Sequence, residues 1–216
     1  MNCIVTAGPT YEPLDDVRRL TNFSTGRLGT ELANDLTRHG HQVTLLLGEM
    51  ATYTGQTRSK RVERFSTTDD LRKKMRSLAN KKIHAVFHAA AVSDFSFGDI
   101  FTRSQAGKLS RVQRAKKIPT RDGRLLAELL PTPKIISKLR QWFPTAILVG
   151  WKYEADGNRS QAVLAARRQI AECLTDLCVA NGPAYGSGFG LVTATEKPVH
   201  LKSSTALFTA LERLVR

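Results

Sequence analysis

Between Thr6 and Gly29 the chain reads T-A-G-P-T-Y-E-P-L-D-D-V-R-R-L-T-N-F-S-T-G-R-L-G, and its polar groups are of the kinds that handle anions. Gly8 and Thr10 follow a short apolar run, Cys3, Ile4 and Val5. Arg18, Asn22, Ser24, Thr25 and Gly26 cluster just before an amphipathic stretch whose apolar positions are Leu28, Leu32, Ala33 and Leu36. A strand that passes through glycines into a helix leaves unpaired N–H groups at the helix start, where a phosphate or carboxylate can sit. Ser24 or Thr25 is expected to be the N-cap of that helix. Gly8, Gly26 and Gly29 alone are equally compatible with turns and close packing, and the polar residues between them favour a site.

Two further places carry reactive groups. Asp94 stands just past the apolar run 85–91, where a carboxylate suits ribose hydroxyls, a bound cation or a turn cap. His88 lies inside that run and reads as a satisfied core or crevice-edge histidine sooner than as a ligand or base. The segment 96–120 has no clean period and carries Arg103, Lys108, Arg111, Arg114, Lys116 and Lys117 against Asp99 alone. It reads as a mobile basic flap that a bound polyanion would order, because loops of this length in compact domains are functional or disordered.

The 216 residues include 33 Lys plus Arg against 19 Asp plus Glu, a formal charge of +14, with 41% hydrophobic residues. That size and content suit one domain, 1–216, with a full core. The positive charge fits nucleic acid, a small polyanion such as a nucleoside triphosphate, or a plain solvated surface. Because the basic residues are scattered along the chain, the small polyanion is favoured and nucleic acid is not expected as a partner. No run of eighteen apolar residues occurs, and no basic-then-apolar leader, so a soluble cytoplasmic protein without membrane attachment is expected. Cys3, Cys173 and Cys178 lie in or beside apolar runs without C-x-x-C spacing and read as reduced core residues.

The elements that must position these groups alternate. Strands are expected over 42–48, 85–91, 146–151 and 177–180, and helices from about 25 to 39, from Thr67 or Thr68 to about Asn80, over 159–173 and over 205–215. Residues 125–130 form a short strand or turn, Pro133 stands near the first turn of another helix, and 191–195 pairs with 199–201 around Lys197-Pro198. The pattern predicts an α/β three-layer, Rossmann-like fold with a mainly parallel sheet and a long basic flap. Ligands in such sheets bind beyond the carboxyl ends of the strands, where 6–10, 92–94, 150–151 and 181–182 are expected to converge on one crevice. A Rossmann-type NAD(P)-linked oxidoreductase is the first alternative, given Gly26-x-x-Gly29 before a helix and Glu49 after the second strand. Residues 11–25, however, separate Thr10 from Gly26, where that fingerprint needs a tight turn, and no G-x-x-x-x-G-K-[ST] loop is present. A basic nucleic-acid-binding protein is the second alternative.

The block T-A-G-P-T-Y-E-P-L-D-D-V-R with T-N-F-S-T-G-R-L-G resembles the start of phosphopantothenoylcysteine synthetase, also called phosphopantothenate-cysteine ligase. A-A-A-V-S-D-F, K-K-I-P-T, L-P-T-P-K-I-I, L-V-G-W-K-Y-E and D-L-C-V-A-N follow in the family's order. The missing flavoprotein half makes the chain look like the stand-alone bacterial form. The resemblance implies a homodimer that couples phosphopantothenate to cysteine with CTP or ATP and Mg²⁺, through an acyl-nucleotidylate. Asn22 would then hold the acyl group, and Lys117 would be the flap lysine on the phosphates, with Lys108 and Lys116 as rivals. Asp94 would contact the nucleotide, Trp151 takes the place of a nucleotide-contacting phenylalanine, and Arg18 is implied as a phosphate ligand that could reach across the dimer. Gly8, Thr10, Ser24, Thr25 and Gly26 in the first block, with Ala90 and Pro133 in later ones, are implied to line the substrate and nucleotide sites. The chain departs from the family at Gln169, Glu172 and Cys173, where lysines are usual, and at Gly182, where the family carries Asp after Asn181.

Overall fold

The structure, a computed structural model, describes residues 1–112, 116–119 and 124–216. In chain order its elements are β1 Asn2–Ala7, β2 Tyr11–Pro13, β3 Arg19–Thr21, α1 Arg27–Arg38, β4 Gln42–Gly48, β5 Arg61–Phe65, α2 Thr68–Ser77, β6 Ala85–His88, β7 Phe95–Arg103, β8 Leu109–Arg111 and β9 Arg124–Pro131. A 3-10 turn, Ile135–Lys138, then leads into α3 Leu139–Trp142, followed by β10 Ile147–Tyr153, α4 Arg159–Cys173, β11 Leu177–Asn181, β12 Phe189–Val192, β13 Val199–Leu201 and α5 Ser204–Arg213.

Eight strands form one sheet in the order β13-β12-β11-β10-β6-β1-β4-β5, parallel except for β12 and β13. The central strands are apolar on both sides because both faces are covered by helices. Alternate residues separate the two cores. Val5, Leu45, Phe87 and Val149 meet Leu32 and Leu36 of α1 and Leu207 and Leu211 of α5. Ile4, Leu46, Val86 and Leu148 meet Leu71 and Met75 of α2 and Leu139 of α3, while α4 packs Ala162, Ala166 and Ile170 on Cys178 and Ala180. Each fully buried leucine in these layers contributes about 2 kcal/mol. The three-layer α/β architecture is the one the alternating pattern predicts.

Several local expectations change. Helix α1 begins at Arg27, and its N-cap is Gly26 in a left-handed conformation (φ 79°, ψ 0°), not Ser24 or Thr25. A side-chain cap needs an extended residue there; Thr25 Oγ1 instead accepts from Arg27 N at 3.3 Å. The helix expected after Pro133 is a 3-10 turn followed by one α turn, with Ser137 Oγ bonded back to the Lys134 carbonyl at 2.7 Å. The run 85–91 is a strand only to His88.

The segment read as an aperiodic flap is regular through most of its described length. β7 pairs with β8 and β9 in a separate antiparallel sheet ordered β8-β7-β9. The period was hidden because this sheet lies outside the main core: in β9 seven of eight residues are exposed. Residues 113–115 and 120 of the flap lie outside the described residues. β2, β3 and β5 were not anticipated, the first two being three residues long and the last a charged edge strand, R-V-E-R-F. No helix among the described residues is long and apolar enough to cross a membrane.

Candidate active site

The chain leaves β1 for β4 and β5 on one side and returns with β6, β10 and β11 on the other, so strand order reverses between β1 and β6. A crevice opens at the carboxyl ends of strands at such a switch point. Here the loops after β1 and β6 are tied together. Ala90 N donates to Thr6 Oγ1 at 3.1 Å, Ala91 N to the Gly8 carbonyl at 3.0 Å, and Thr10 N to the Ala91 carbonyl at 3.1 Å. Ser93 N donates to Thr10 Oγ1 at 2.8 Å, and Thr21 Oγ1 donates to the Thr10 carbonyl at 2.9 Å. Thr10 is fully buried, so it holds the loops in place and presents no surface to a ligand.

The β2–β3 hairpin fills the interval between β1 and α1 that a dinucleotide fingerprint would close with a tight turn. Its Tyr11 hydroxyl donates to Glu49 Oε2 at 3.2 Å, so the carboxylate after β4 serves the hairpin. From the hairpin base, exposed Asn22 donates through Nδ2 to the Ala91 carbonyl at 3.1 Å. Helix α1 then starts without a side-chain cap, and the N–H groups of its first turn face the end of the helix where anions are stabilised. Half-buried Ser24 and exposed Thr25 flank that start. A Cβ at Gly26 would lie 2.9 Å from the Ala51 Cβ, and its φ of 79° is one that L side chains rarely adopt, so the turn requires glycine.

Asp94 is exposed beyond β6, its carbonyl accepting from Thr132 N at 2.9 Å, which brings the segment holding exposed Pro133 alongside. Trp151 of β10 packs against the α1 and α5 core, and its indole N–H is buried without a partner among the described residues. His88 is buried, with Nδ1 2.9 Å from Thr6 Oγ1, and burial pushes its pKa down to about 4. It is a neutral core histidine at pH 7, as its place in the strand suggests. Burial likewise pushes the Cys3 and Cys178 thiols up to about 11 and about 12, and all three cysteines are buried and free. They are protonated core residues.

At the far end of the hairpin Arg18 does not project into the crevice. Its Nε and Nη2 bond Asp15 Oδ2 at 3.1 and 2.5 Å, and Nη2 also donates to the Ile118 carbonyl at 2.8 Å. Lys116 and Lys117 flank that anchor and are exposed. A cavity of about 530 Å³ lies beside it, lined by Glu12, Asp15, Thr67, Phe97, Lys116 and Ile118 among others. Lys108 is elsewhere, in the turn between β7 and β8, where its carbonyl accepts from Ser104 N at 3.0 Å. β7 runs roughly 25 Å from the Asp94 end to that turn, at about 3.3 Å per residue. Thus Asn22, the α1 start, Ala90 and Asp94 lie at the crevice, Lys116 and Lys117 lie beside the Asp15–Arg18 anchor at the hairpin turn, and Lys108 is remote from both.

Sequence reasoning gave Glu12 and Asp15 no role. Glu12 is buried, and its Oε1 accepts from Thr68 N at 2.9 Å at the start of α2. Both acids stand in the first block, but their partners are 56 and 103 residues away. Gln169 Nε2 lies 3.2 Å from Cys178 Sγ, Glu172 pairs with Lys134 at 3.8 Å, and Cys173 is buried. Gly182 has φ 107°, and a Cβ there would sit 2.5 Å from the Glu154 carbonyl oxygen, so this backbone has no room for a side chain.

The sequence profile of the DNA/pantothenate metabolism flavoprotein C-terminal domain matches residues 1–207. The chain is 34% identical over 187 residues to the coenzyme A biosynthesis bifunctional protein CoaBC of Thermococcus kodakarensis, covering 85% of this chain and 42% of that protein. It is 31% identical over 194 residues to the CoaBC protein of Bacillus subtilis, covering 88% and 42%. The chain therefore spans less than half the length of these curated relatives. The crystal structure of the DNA/pantothenate metabolism flavoprotein from Streptococcus pneumoniae superposes with a TM-score of 0.84 at 27% identity, covering 100% of this chain and 98% of that one. With its profile matched over nearly the full length and its fold shared, this chain belongs to the DNA/pantothenate metabolism flavoprotein C-terminal domain family.

Proposed function

We propose that this chain is a phosphopantothenate-cysteine ligase, an enzyme of coenzyme A biosynthesis acting in the cytoplasm. The substrate carboxylate attacks the α-phosphorus of CTP or ATP and pyrophosphate leaves. The cysteine amine then attacks the acyl carbon, the nucleoside monophosphate leaves, and an amide forms. The observation that carries this reading is the position of Asn22, an exposed amide fixed to the Ala91 carbonyl beside the uncapped start of α1. A neutral donor near a helix start that lacks a side-chain cap suits an acyl phosphate anhydride, whose acyl oxygen and phosphate both need donors.

Lys117 supplies positive charge to the phosphates, with Lys116 beside it, and Asp94 and Trp151 serve the nucleotide. Arg18 retains Nη1 for a phosphate, here or in a second subunit. Mg²⁺ enters with the nucleotide: no cluster of three His, Cys, Asp or Glu occurs among the described residues, and a phosphate-bound Mg²⁺ needs only one or two carboxylates, for which Asp94 is exposed at the crevice. The working unit is a homodimer. β9, R-L-L-A-E-L-L-P, is an edge strand with Leu126, Leu129 and Leu130 exposed, the kind of edge that another chain covers.

Purified protein incubated with phosphopantothenate, cysteine, Mg²⁺ and each of the four nucleoside triphosphates should release pyrophosphate with CTP or ATP. Absence of pyrophosphate with every nucleotide refutes the assignment. Tight NAD(P) binding, or steeply salt-dependent duplex binding without ligation, would favour the two alternative readings.

A further inference from the structure

We propose that Asp15 is a positioning residue for the flap: with Arg18 it grips Ile118 by both backbone polar groups and thereby presents Lys117 toward the reacting phosphates. The inference rests on the reading of Lys117 given above.

The Asp15 side chain has no exposed surface, and each of its oxygens is used. Oδ1 accepts from Val17 N at 3.0 Å and Arg18 N at 2.7 Å, the local turn that closes the hairpin. Oδ2 accepts from Ile118 N at 3.1 Å and from the Arg18 guanidinium, and Arg18 Nη2 returns a bond to the Ile118 carbonyl at 2.8 Å. Asp16 N donates to the Lys116 carbonyl at 3.1 Å. Ile118 is 2% exposed, so the residue is held through backbone and side chain together. Lys117 stands between these two anchored neighbours with its own side chain in solvent.

The hairpin alone does not demand this arrangement. Leu14 N already bonds the Arg18 carbonyl at 2.8 Å, and the Asx turn uses only Oδ1. Oδ2 and the fork of Arg18 are what the flap adds. Asparagine cannot take the place of this group, because one of its two positions is an NH₂ that would face donors. The Arg18 guanidinium and the converging N–H groups hold the Asp15 carboxyl well below the usual carboxylate range, which keeps the latch ionised at neutral pH. Lysines fixed in this way need not be ordered anew each time a triphosphate binds.

Hydrogen exchange at the Ile118 amide and single-turnover pyrophosphate release with CTP and ATP should be measured on the full chain as wild type, Asp15→Asn and Asp16→Asn. Asp15→Asn should lose protection at Ile118 by about tenfold or more, the scale of one broken hydrogen bond. It should slow pyrophosphate release by about 10- to 100-fold, the scale of a misplaced group. In a Lys117→Gln background it should add little further loss, and the KM for cysteine should be unchanged. Asp16→Asn should match wild type in both readouts. Unchanged protection or an unchanged release rate in Asp15→Asn, with wild type active, overturns the inference, as does full additivity with Lys117→Gln. Protection of β4 reports folding; should Asp15→Asn unfold, Asp15→Glu, which keeps the charge but displaces it by one methylene, is held to the same outcomes. Wild type that releases no pyrophosphate with any nucleotide refutes the ligase reading and the role of Asp15 in presenting Lys117, while the exchange measurement still decides whether the grip on Ile118 exists.

Discussion

The Asn22 side-chain amide and the Thr10 backbone N–H both donate to the carbonyl oxygen of Ala91, each at 3.1 Å, so one oxygen beyond β6 fixes the loop after β1 and the base of the hairpin. The two donors differ in setting. Thr10 is fully buried, whereas Asn22 is exposed and retains its carbonyl oxygen and its second amide hydrogen for a ligand. An anchor made by an exposed group contributes little to stability, and its value lies in orientation.

Asn22→Ala should therefore separate stability from activity. Loss of one solvent-exposed hydrogen bond costs about 1 kcal/mol or less, while loss of a positioned donor costs about 100-fold or more in rate. Thermal unfolding and ligation should be measured together. A large fall in unfolding temperature with a small change in rate would make Asn22 a structural residue.

His88 gives the fold a definite acid sensitivity. Burial lowers its pKa from 6.5 to about 4, so the unfolded chain takes up the proton first as pH falls. Its stabilising contribution is full above pH 6.5 and is lost as pH falls toward 4, by at most about 3 kcal/mol. Asp15 acts in a lower window: with its pKa depressed from 3.8, its contribution persists through pH 4 and is lost only as pH falls further. Denaturant midpoints between pH 7 and 4 should decline in wild type and decline less in His88→Gln. Parallel curves for the two proteins would contradict the assignment.

How much of this could be read from the sequence depended on whether a residue faced the main core. Gln42–Gly48 and Arg159–Cys173 were readable to the residue, because each packs an apolar pattern on the sheet. R-V-E-R-F in β5 was not, because an edge strand keeps its charged side chains in water, and β9 was ambiguous because its leucines are exposed. The meeting of residues 6–10 with 92–94 was legible, since both segments follow apolar runs that read as parallel strands. The bonds from Asp15 and Arg18 to Ile118 were not, since a carboxylate meeting a backbone N–H 103 residues away leaves no periodic trace.

Gly182 tests whether this backbone requires glycine. Gly182→Asp places a Cβ 2.5 Å from the Glu154 carbonyl oxygen at a φ of 107°. The Glu154 N–H also bonds the Asn181 carbonyl at 2.9 Å, so the neighbouring strand end cannot move freely. The substitution should cost about 2 kcal/mol or more in unfolding free energy. Wild-type stability in this variant would mean that the loop relaxes and that the glycine answers to something other than packing.

The two half-reactions should separate Lys117 from Asn22. In the first, a carboxylate must approach a triphosphate, and two anions repel unless a cation stands near. Lys117, flanked by the Lys116 and Ile118 anchor points, offers that charge, and a neutral glutamine does not. Lys117→Gln should slow formation of the acyl-nucleotidylate by about 100-fold or more. In the second half-reaction, negative charge grows on the acyl oxygen as the cysteine amine attacks, and the Asn22 amide can donate to it. Asn22→Asp removes that donor and sets a carboxylate against the Ala91 carbonyl oxygen now bonded at 3.1 Å, so the side chain also turns away from its present position. It should slow amide formation more than nucleotidyl transfer, and the intermediate should accumulate. Acid quench with labelled nucleotide distinguishes the two: intermediate absent in Lys117→Gln and built up in Asn22→Asp supports the division. Equal loss of intermediate in both variants defeats it, and full activity in Asn22→Asp removes Asn22 from the site.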